Sequence, residues 1–124
     1  MTETTLILER TVDAPRRARA RVRELEPLLG PERTEDATLL ISELVTNAVK
    51  YGPEDGEIRL IIATDEITTR FTVHDPGAGP LPEMQVADTP AHVGGGHGLR
   101  LVDSLADRWG VERGSTRVWF ELQA

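Results

Sequence analysis

Cysteine is absent from the 124 residues, which excludes a disulfide framework, a thiolate metal site and a cysteine nucleophile. Lysine is nearly absent. Lys50 stands alone against thirteen arginines, and no lysine follows either glycine-rich stretch, so neither can be a P-loop of the form G-x-x-x-x-G-K-[ST]. No apolar run approaches the ~18 residues of a membrane span, so no membrane association is expected. Residues 1–15 lack the basic-then-apolar order of a signal peptide, which makes the cytoplasm the expected compartment. Net positive charge is lacking too. Asp and Glu outnumber Lys and Arg by 21 to 14, a balance of -7 that argues against direct nucleic-acid binding. At roughly 100–200 residues per domain, the length fits one domain, 1–124, with room for one core.

The charge that is present is unevenly placed. Residues 10–23 hold Arg10, Arg16, Arg17, Arg19, Arg21 and Arg23 against Asp13, net +5, which leaves -12 for the remainder. Around this segment the hydrophobic pattern sets out the elements. Residues 4–12 read as a strand, with Leu6 and Leu8 on one face and Ile7 on the other. Asp13 reads as a helix N-cap with Pro15 in the first turn, followed by Ala18, Val22, Leu25 and Leu29 at helical spacing. Gly30-Pro31 stops that helix and introduces another, from about Thr34 to Tyr51, halted by Gly52-Pro53.

Ile58, Leu60 and Ile62 then mark one strand face and Ile67, Thr69, Phe71 and Val73 a second, joined through Thr64-Asp65-Glu66 as a hairpin. Regular structure is expected to stop from Pro76 to Gly98, a stretch crowded with glycine and proline, and loops so long are usually functional or disordered. Helical spacing resumes at Leu99, Leu101, Val102 and Leu105. Trp109-Gly110-Val111 and the alternating Thr116, Val118, Phe120, Leu122 follow. Trp109, Trp119, Phe71 and Phe120 are expected in the core. This order segregates helices from an antiparallel sheet and predicts an α+β fold, a two-layer sandwich with helices on one face.

Three places break the pattern. Glu43 and Asn47 stand at i, i+4 on the long helix, at the edge of the apolar arc of Leu40, Ile41, Leu44, Val45 and Ala48. A carboxylate and an amide there need partners, since leaving them desolvated costs about 1–3 kcal/mol each. Taken alone, the pair is better explained as a solvated boundary pair or as a glutamate bonded to a neighbouring helix, since E-x-x-x-N on a helix is weak as a motif. Asp75 leaves a buried strand directly into Pro76-Gly77-Ala78-Gly79, where a carboxylate could accept the exocyclic amine of an adenine or could close an ordinary Asx turn. Gly94-Gly95-Gly96-His97-Gly98-Leu99-Arg100 runs into a helix, which suits a phosphate but also a solvated loop. His74, His92 and His97 have no metal-ligand spacing.

Taken in order, Glu43-x-x-x-Asn47, Asp75-x-Gly77-x-Gly79 and Gly94-x-Gly96-x-Gly98-Leu99 resemble the three boxes of the Bergerat ATP-binding fold, the GHKL superfamily of gyrase and the histidine kinases. The phrases SELVTNAVKYG and GHGLRLVDSLADRWG are similar to the anti-sigma-factor serine/threonine kinases of bacterial partner switching, in particular the small actinobacterial type. The likeness runs from about residue 5 to residue 122. It implies ATP and Mg²⁺ as ligands, with Asn47 on the metal and Glu43 as the catalytic base. Asp75, Gly77 and Gly79 would hold the base, and Gly94, Gly96 and Gly98, with His97 and Leu99 in the same stretch, would hinge a lid within residues 80–97 over the phosphates. Apart from the resemblance, Arg100 in the first turn after those glycines could add charge near the γ-phosphate. The implied partners are an anti-anti-sigma protein as phosphoryl acceptor and a sigma factor held by an ATP-bound homodimer. The arginine-rich first helix would then offer a basic patch to an acidic partner, or be simply a solvated face whose arginines reflect genome composition. A non-catalytic module that binds its partner in a nucleotide-dependent way would keep the same boxes.

Overall fold

The computed structural model describes residues 2–51, 56–75, 96–111 and 117–123. Along the chain these form β1 (Thr2–Glu9), α1 (Ala14–Arg23), α2 (Glu26–Leu29), α3 (Pro31–Tyr51), β2 (Glu57–Thr64), β3 (Thr68–His74), α4 (Gly96–Leu105), β4 (Arg108–Val111) and β5 (Arg117–Gln123). The strands make one sheet in the order β1-β2-β3-β5-β4, with every neighbouring pair antiparallel. The α+β architecture expected from the element order is the one observed.

Alternation along each strand decides which face is buried. Leu8, Ile58, Leu60, Ile62, Phe71, Val73, Val118, Phe120 and Leu122 all point to the helical side and are buried. Phe71 and Phe120 are register partners whose rings stack at 4.9 Å, in the middle of this face. From the helical layer Ala18, Val22, Ala37, Leu40, Ile41, Leu44, Val45, Ala48 and Val102 complete the same core. The other face of the sheet carries Ile7, Arg59, Arg70, Trp119 and Glu121, with Ile7 49% exposed. Trp119 is therefore not the core residue the alternation was expected to supply. Its ring lies under the Arg70 guanidinium, 4.0 Å from the centroid, and is pressed against the backbone of Gly110. Trp109 does pack against the core.

Several boundaries differ from the sequence expectation for local reasons. The predicted single helix through Leu29 is two, because Pro27 lacks an N–H and its ring excludes the carbonyl of Arg23, where α1 ends. Gly30 takes φ +82°, a conformation costly for other residues, and its carbonyl accepts from Thr34 N at 3.0 Å, so α3 starts at Pro31 rather than Thr34. β1 stops at Glu9, where the chain turns back and Thr11 N donates to Glu9 O at 2.8 Å. Asp13 occupies the N-cap position without capping. Its backbone is already helical, and its carboxylate instead accepts from Arg16 at 3.1 Å. The hairpin forms as expected, with Asp65 accepting from Ile67 N at 3.0 Å and Thr68 N at 2.8 Å; Ile67 belongs to the turn and is exposed. The stop signal Gly52-Pro53 and Thr116 lie outside the described residues.

A second polar feature ties the two ends of the chain's helical layer to the sheet. Arg33, in the first turn of α3, donates to both carboxylate oxygens of Asp107 at 3.1 and 2.9 Å and to Leu105 O at 3.2 Å, at the end of α4. Asp107 in turn accepts from Gln123 N at 2.7 Å and donates its own N–H to Glu121 O at 2.9 Å.

Candidate functional site

α3 presents the first pair of candidate residues. Leu40, Ile41, Leu44, Val45 and Ala48 bury its broad apolar arc, and this fixes the rotation of the helix. Glu43 and Asn47 then fall one turn apart at the edge of the arc, Glu43 half-buried and Asn47 only 8% exposed. Neither side chain has a hydrogen bond or ion pair among the described residues. Among the described residues they form the solvated boundary pair, and not a glutamate tied to a neighbouring helix. Although the residue as a whole is buried, the Asn47 amide atoms keep contact with solvent, so the group is hydrated at the rim of the buried face and open to a ligand.

Asp75 follows the inward-facing Phe71 and Val73 and, at the end of β3, is itself 2% exposed. The ladder pairs Leu8 with Ile58 and Arg59 with His74, so Asp75 continues the row that crosses Ile58 toward β1. There its carboxylate Oδ1 is ion-paired with Arg10 Nη2, and both side chains are almost fully enclosed, at 3% and 5% exposure. The second arm of the same guanidinium, Nη1, donates to Ala48 O at 2.6 Å. Ala48 is the residue after Asn47, and its carbonyl is among the last four of α3, which have no partner within the helix and sit at its negative dipole end. One guanidinium thus joins the end of the helix carrying Glu43 and Asn47 to the strand end carrying Asp75.

Arg10 is the site residue that sequence reasoning missed. It was grouped with the surface arginines of residues 10–23, whereas its burial removes it from any patch a partner could touch. The signal was present in the alternation, since Leu6 and Leu8 face inward and Arg10 is the next residue in that phase. The remaining arginines of the segment are partly neutralised within the fold. Arg16 pairs with Asp13, Arg21 with Glu24 at 2.7 Å and Arg23 with Glu35 at 3.5 Å, while Arg19 donates to Ser42 Oγ at 3.0 Å.

The third candidate stretch corrects one boundary. α4 starts at Gly96, not at Leu99, so Gly96, His97, Gly98 and Leu99 form its first turn, and Arg100 stands one turn in, exposed to solvent. First-turn N–H groups lack intrahelical acceptors, and no acidic side chain in this turn opposes an anion. α4 is held on α3 through Val102 in the shared core and through the Arg33 contact to Leu105. Gly77, Gly79 and Gly94, the expected lid within 80–97 and His92 lie outside the described residues.

Among the described residues no group of three or more His, Cys, Asp or Glu side chains could hold a metal. A hard cation such as Mg²⁺ fits Asn47 as a single oxygen donor only if other oxygens, from phosphate and water, complete its octahedron. A concavity of about 300 Å³ lies at the far end of β3 and is lined by Glu3, Asp65 and Glu121 with Arg70. Three carboxylates against one arginine are a poor setting for a polyphosphate. No helix among the described residues is long and apolar enough to cross a membrane.

Comparison with known proteins bears on the family and the fold. The sequence profile of the histidine kinase-like ATPase domain matches residues 8–122. Thirteen chains of solved structures match. One is the crystal structure of the RsbU and RsbW domains of Rv1364c from Mycobacterium tuberculosis, at 23% identity and a TM-score of 0.70. That alignment covers 99% of this chain and 31% of the other, and at this identity it establishes a shared fold. No curated protein matches the chain.

Proposed function

The chain belongs to the histidine kinase-like ATPase domain family, and from that premise we propose that it binds Mg²⁺-ATP and transfers the γ-phosphoryl group to a serine or threonine of a partner protein. The carrying observation is the Asn47 amide at the rim of the buried face, without a partner among the described residues and one helical turn from Glu43, on a helix whose end is clasped to Asp75. Asn47 would offer its carbonyl oxygen to the metal. Asp75 would accept the exocyclic amine of the base, and the first-turn amides of α4, with Arg100, would face the phosphates. Mg²⁺, when bound, supplies charge neutralisation across the phosphate oxygens.

Phosphoryl transfer asks a protein for positioning and electrostatic stabilisation more than for covalent chemistry. Glu43 would accept the proton of the attacking hydroxyl as its oxygen bonds to the γ-phosphorus and the bond to ADP breaks. Its half-buried carboxylate, engaged by no cation among the described residues, is chemically suited to that role. The acceptor fitting a small domain with an RsbW-like fold is an anti-anti-sigma protein, with a sigma factor as the sequestered partner and a homodimer as the assembly.

Calorimetry with Mg²⁺-ATP tests the binding half of the reading. Wild type should bind, and Asn47→Ala should bind at least ~10-fold more weakly, the factor that corresponds to loss of one charge-assisted interaction. Equal binding by both proteins would refute the site. Glu43→Ala should retain ATP and lose transfer of labelled phosphate to the partner. Undiminished transfer would remove the base. ATP binding without any transfer by wild type would leave a nucleotide-controlled binding module.

A further inference from the structure

We propose that Arg10 is a positioning residue for base recognition: it holds the Asp75 carboxylate in the orientation that accepts the exocyclic amine of adenine, and so sets the preference for adenine over a 6-oxo purine. This rests on the reading of Asp75 as the base-binding group and adds to it a residue outside the three sequence boxes.

At a strand end the ladder no longer aims an aspartate carboxylate. Asp75 has left the ladder, and the terminal torsion of its carboxylate is broad and roughly two-fold. An acceptor that must meet one amine hydrogen needs that torsion fixed. Arg10 fixes it through a charge-assisted bond to Oδ1, and it is itself fixed by its second bond, to Ala48 O at 2.6 Å. Planarity of the guanidinium sets the angle between those two bonds. A lysine ammonium has no such fork and would fix neither direction.

A carboxylate carries two oxygens and about four acceptor sites, so the ion pair and a bond from a base amine are compatible. Both side chains are also enclosed, at or below 5% exposure. An aimed acceptor discriminates strongly in such surroundings. A purine that offers a carbonyl where adenine offers an amine would set oxygen against oxygen. The same two bonds link base recognition to the helix that carries Asn47, so a base seated on Asp75 would bear on the phosphate end through one side chain.

The test measures selectivity, which general loosening of the fold would not change. Binding of Mg²⁺-ATP and Mg²⁺-inosine triphosphate is measured by calorimetry for wild type, Arg10→Gln and Arg10→Lys, at a temperature where circular dichroism shows all three folded. Wild type should favour ATP by at least ~10-fold, the range for an amine lost opposite a buried carboxylate. Both variants should lose most of that preference through weaker ATP binding, with inosine triphosphate bound nearly as before. Full preference retained in both variants would overturn the role of Arg10 and leave the nucleotide site standing. Failure of wild type to bind ATP, or equal affinity for the two nucleotides, would instead overturn the reading of Asp75 and the proposal with it.

A measurement on the unmutated chain covers the case in which the variants do not fold. The guanidinium NMR signals of Arg10 should stay protected from exchange with water when ATP is added. Signals that enter fast exchange on ATP binding would show the arginine released, and would refute positioning.

Discussion

Breaking the Arg10–Asp75 pair from either side should be severe for stability, and removing both partners should not be. With side chains at 5% and 3% exposure, neither charge left alone could recover water without rearrangement. Loss of one member of a buried pair costs about 3–5 kcal/mol, because the survivor remains as an uncompensated charge. Unfolding entropy of ~2.1 cal/mol/K per residue gives a chain of this length about 0.26 kcal/mol/K at its midpoint. Arg10→Met or Asp75→Leu alone should therefore lower Tm by about 12–19 °C, out of a total stability of about 5–15 kcal/mol. The double variant should return to within a few degrees of wild type, since apolar replacement of a buried pair is often neutral or better. Arg10 Nε, buried with no hydrogen-bond partner in the structure, adds to the reason a methionine is tolerated once the aspartate is gone. Calorimetric melts at low and high salt supply the assay. The loss should be nearly the same in both, as screening reaches exposed charges and not enclosed ones. A single variant that melts within about 4 °C of wild type, the equivalent of 1 kcal/mol, would mean that the charges are not desolvated in solution.

Two further expectations concern the sheet. At Gly110 an added Cβ would lie 2.8 Å from Trp119 Nε1 and 2.9 Å from two further ring carbons, so Gly110→Ala should cost about 1–3 kcal/mol by overpacking. The cost should vanish in a Trp119→Ala background, and a Gly110→Ala chain as stable as wild type would disprove the contact. Asp65 is held below its ordinary carboxylate value by the backbone N–H of Ile67 and then that of Thr68. A depressed folded-state value stabilises above the unfolded one and is lost as pH falls through the folded one. The Tm advantage of wild type over Asp65→Ala should thus be constant at neutral pH and decline below about pH 4. A difference independent of pH down to about pH 2 would exclude this turn carboxylate as its source.

The elements were legible in the sequence wherever one face is buried, because there a two-residue or 3.6-residue period must hold for the core to close. Ile58, Leu60 and Ile62 show this on β2, as do Leu40, Leu44 and Ala48 on α3. Boundaries were less legible, being set by single backbone events such as the excluded carbonyl before Pro27 or the positive φ of Gly30. Trp119 misled because an aromatic at strand spacing reads as core, although its phase relative to Val118 and Phe120 puts it on the opposite face. Glu43, Asn47 and Asp75 could be found as polar residues in apolar phases. Arg10 obeyed the same rule and was overlooked because its arginine neighbours suggested a surface. Its partner lies 65 residues away, and no local pattern encodes such a distance.

The clasp of Arg33 on Asp107 and Leu105 has a metrical consequence for α3. That helix is about 30 Å long at 1.5 Å per residue, and it is pinned at its first turn by Arg33 and near its last by Arg10. The far end of α4 is referred to one pin and the Asp75 carboxylate to the other. α3 is thereby a single ruler on which the two halves of the site are marked. A change in its pitch, by even one inserted residue between the pins, would move both marks out of register together.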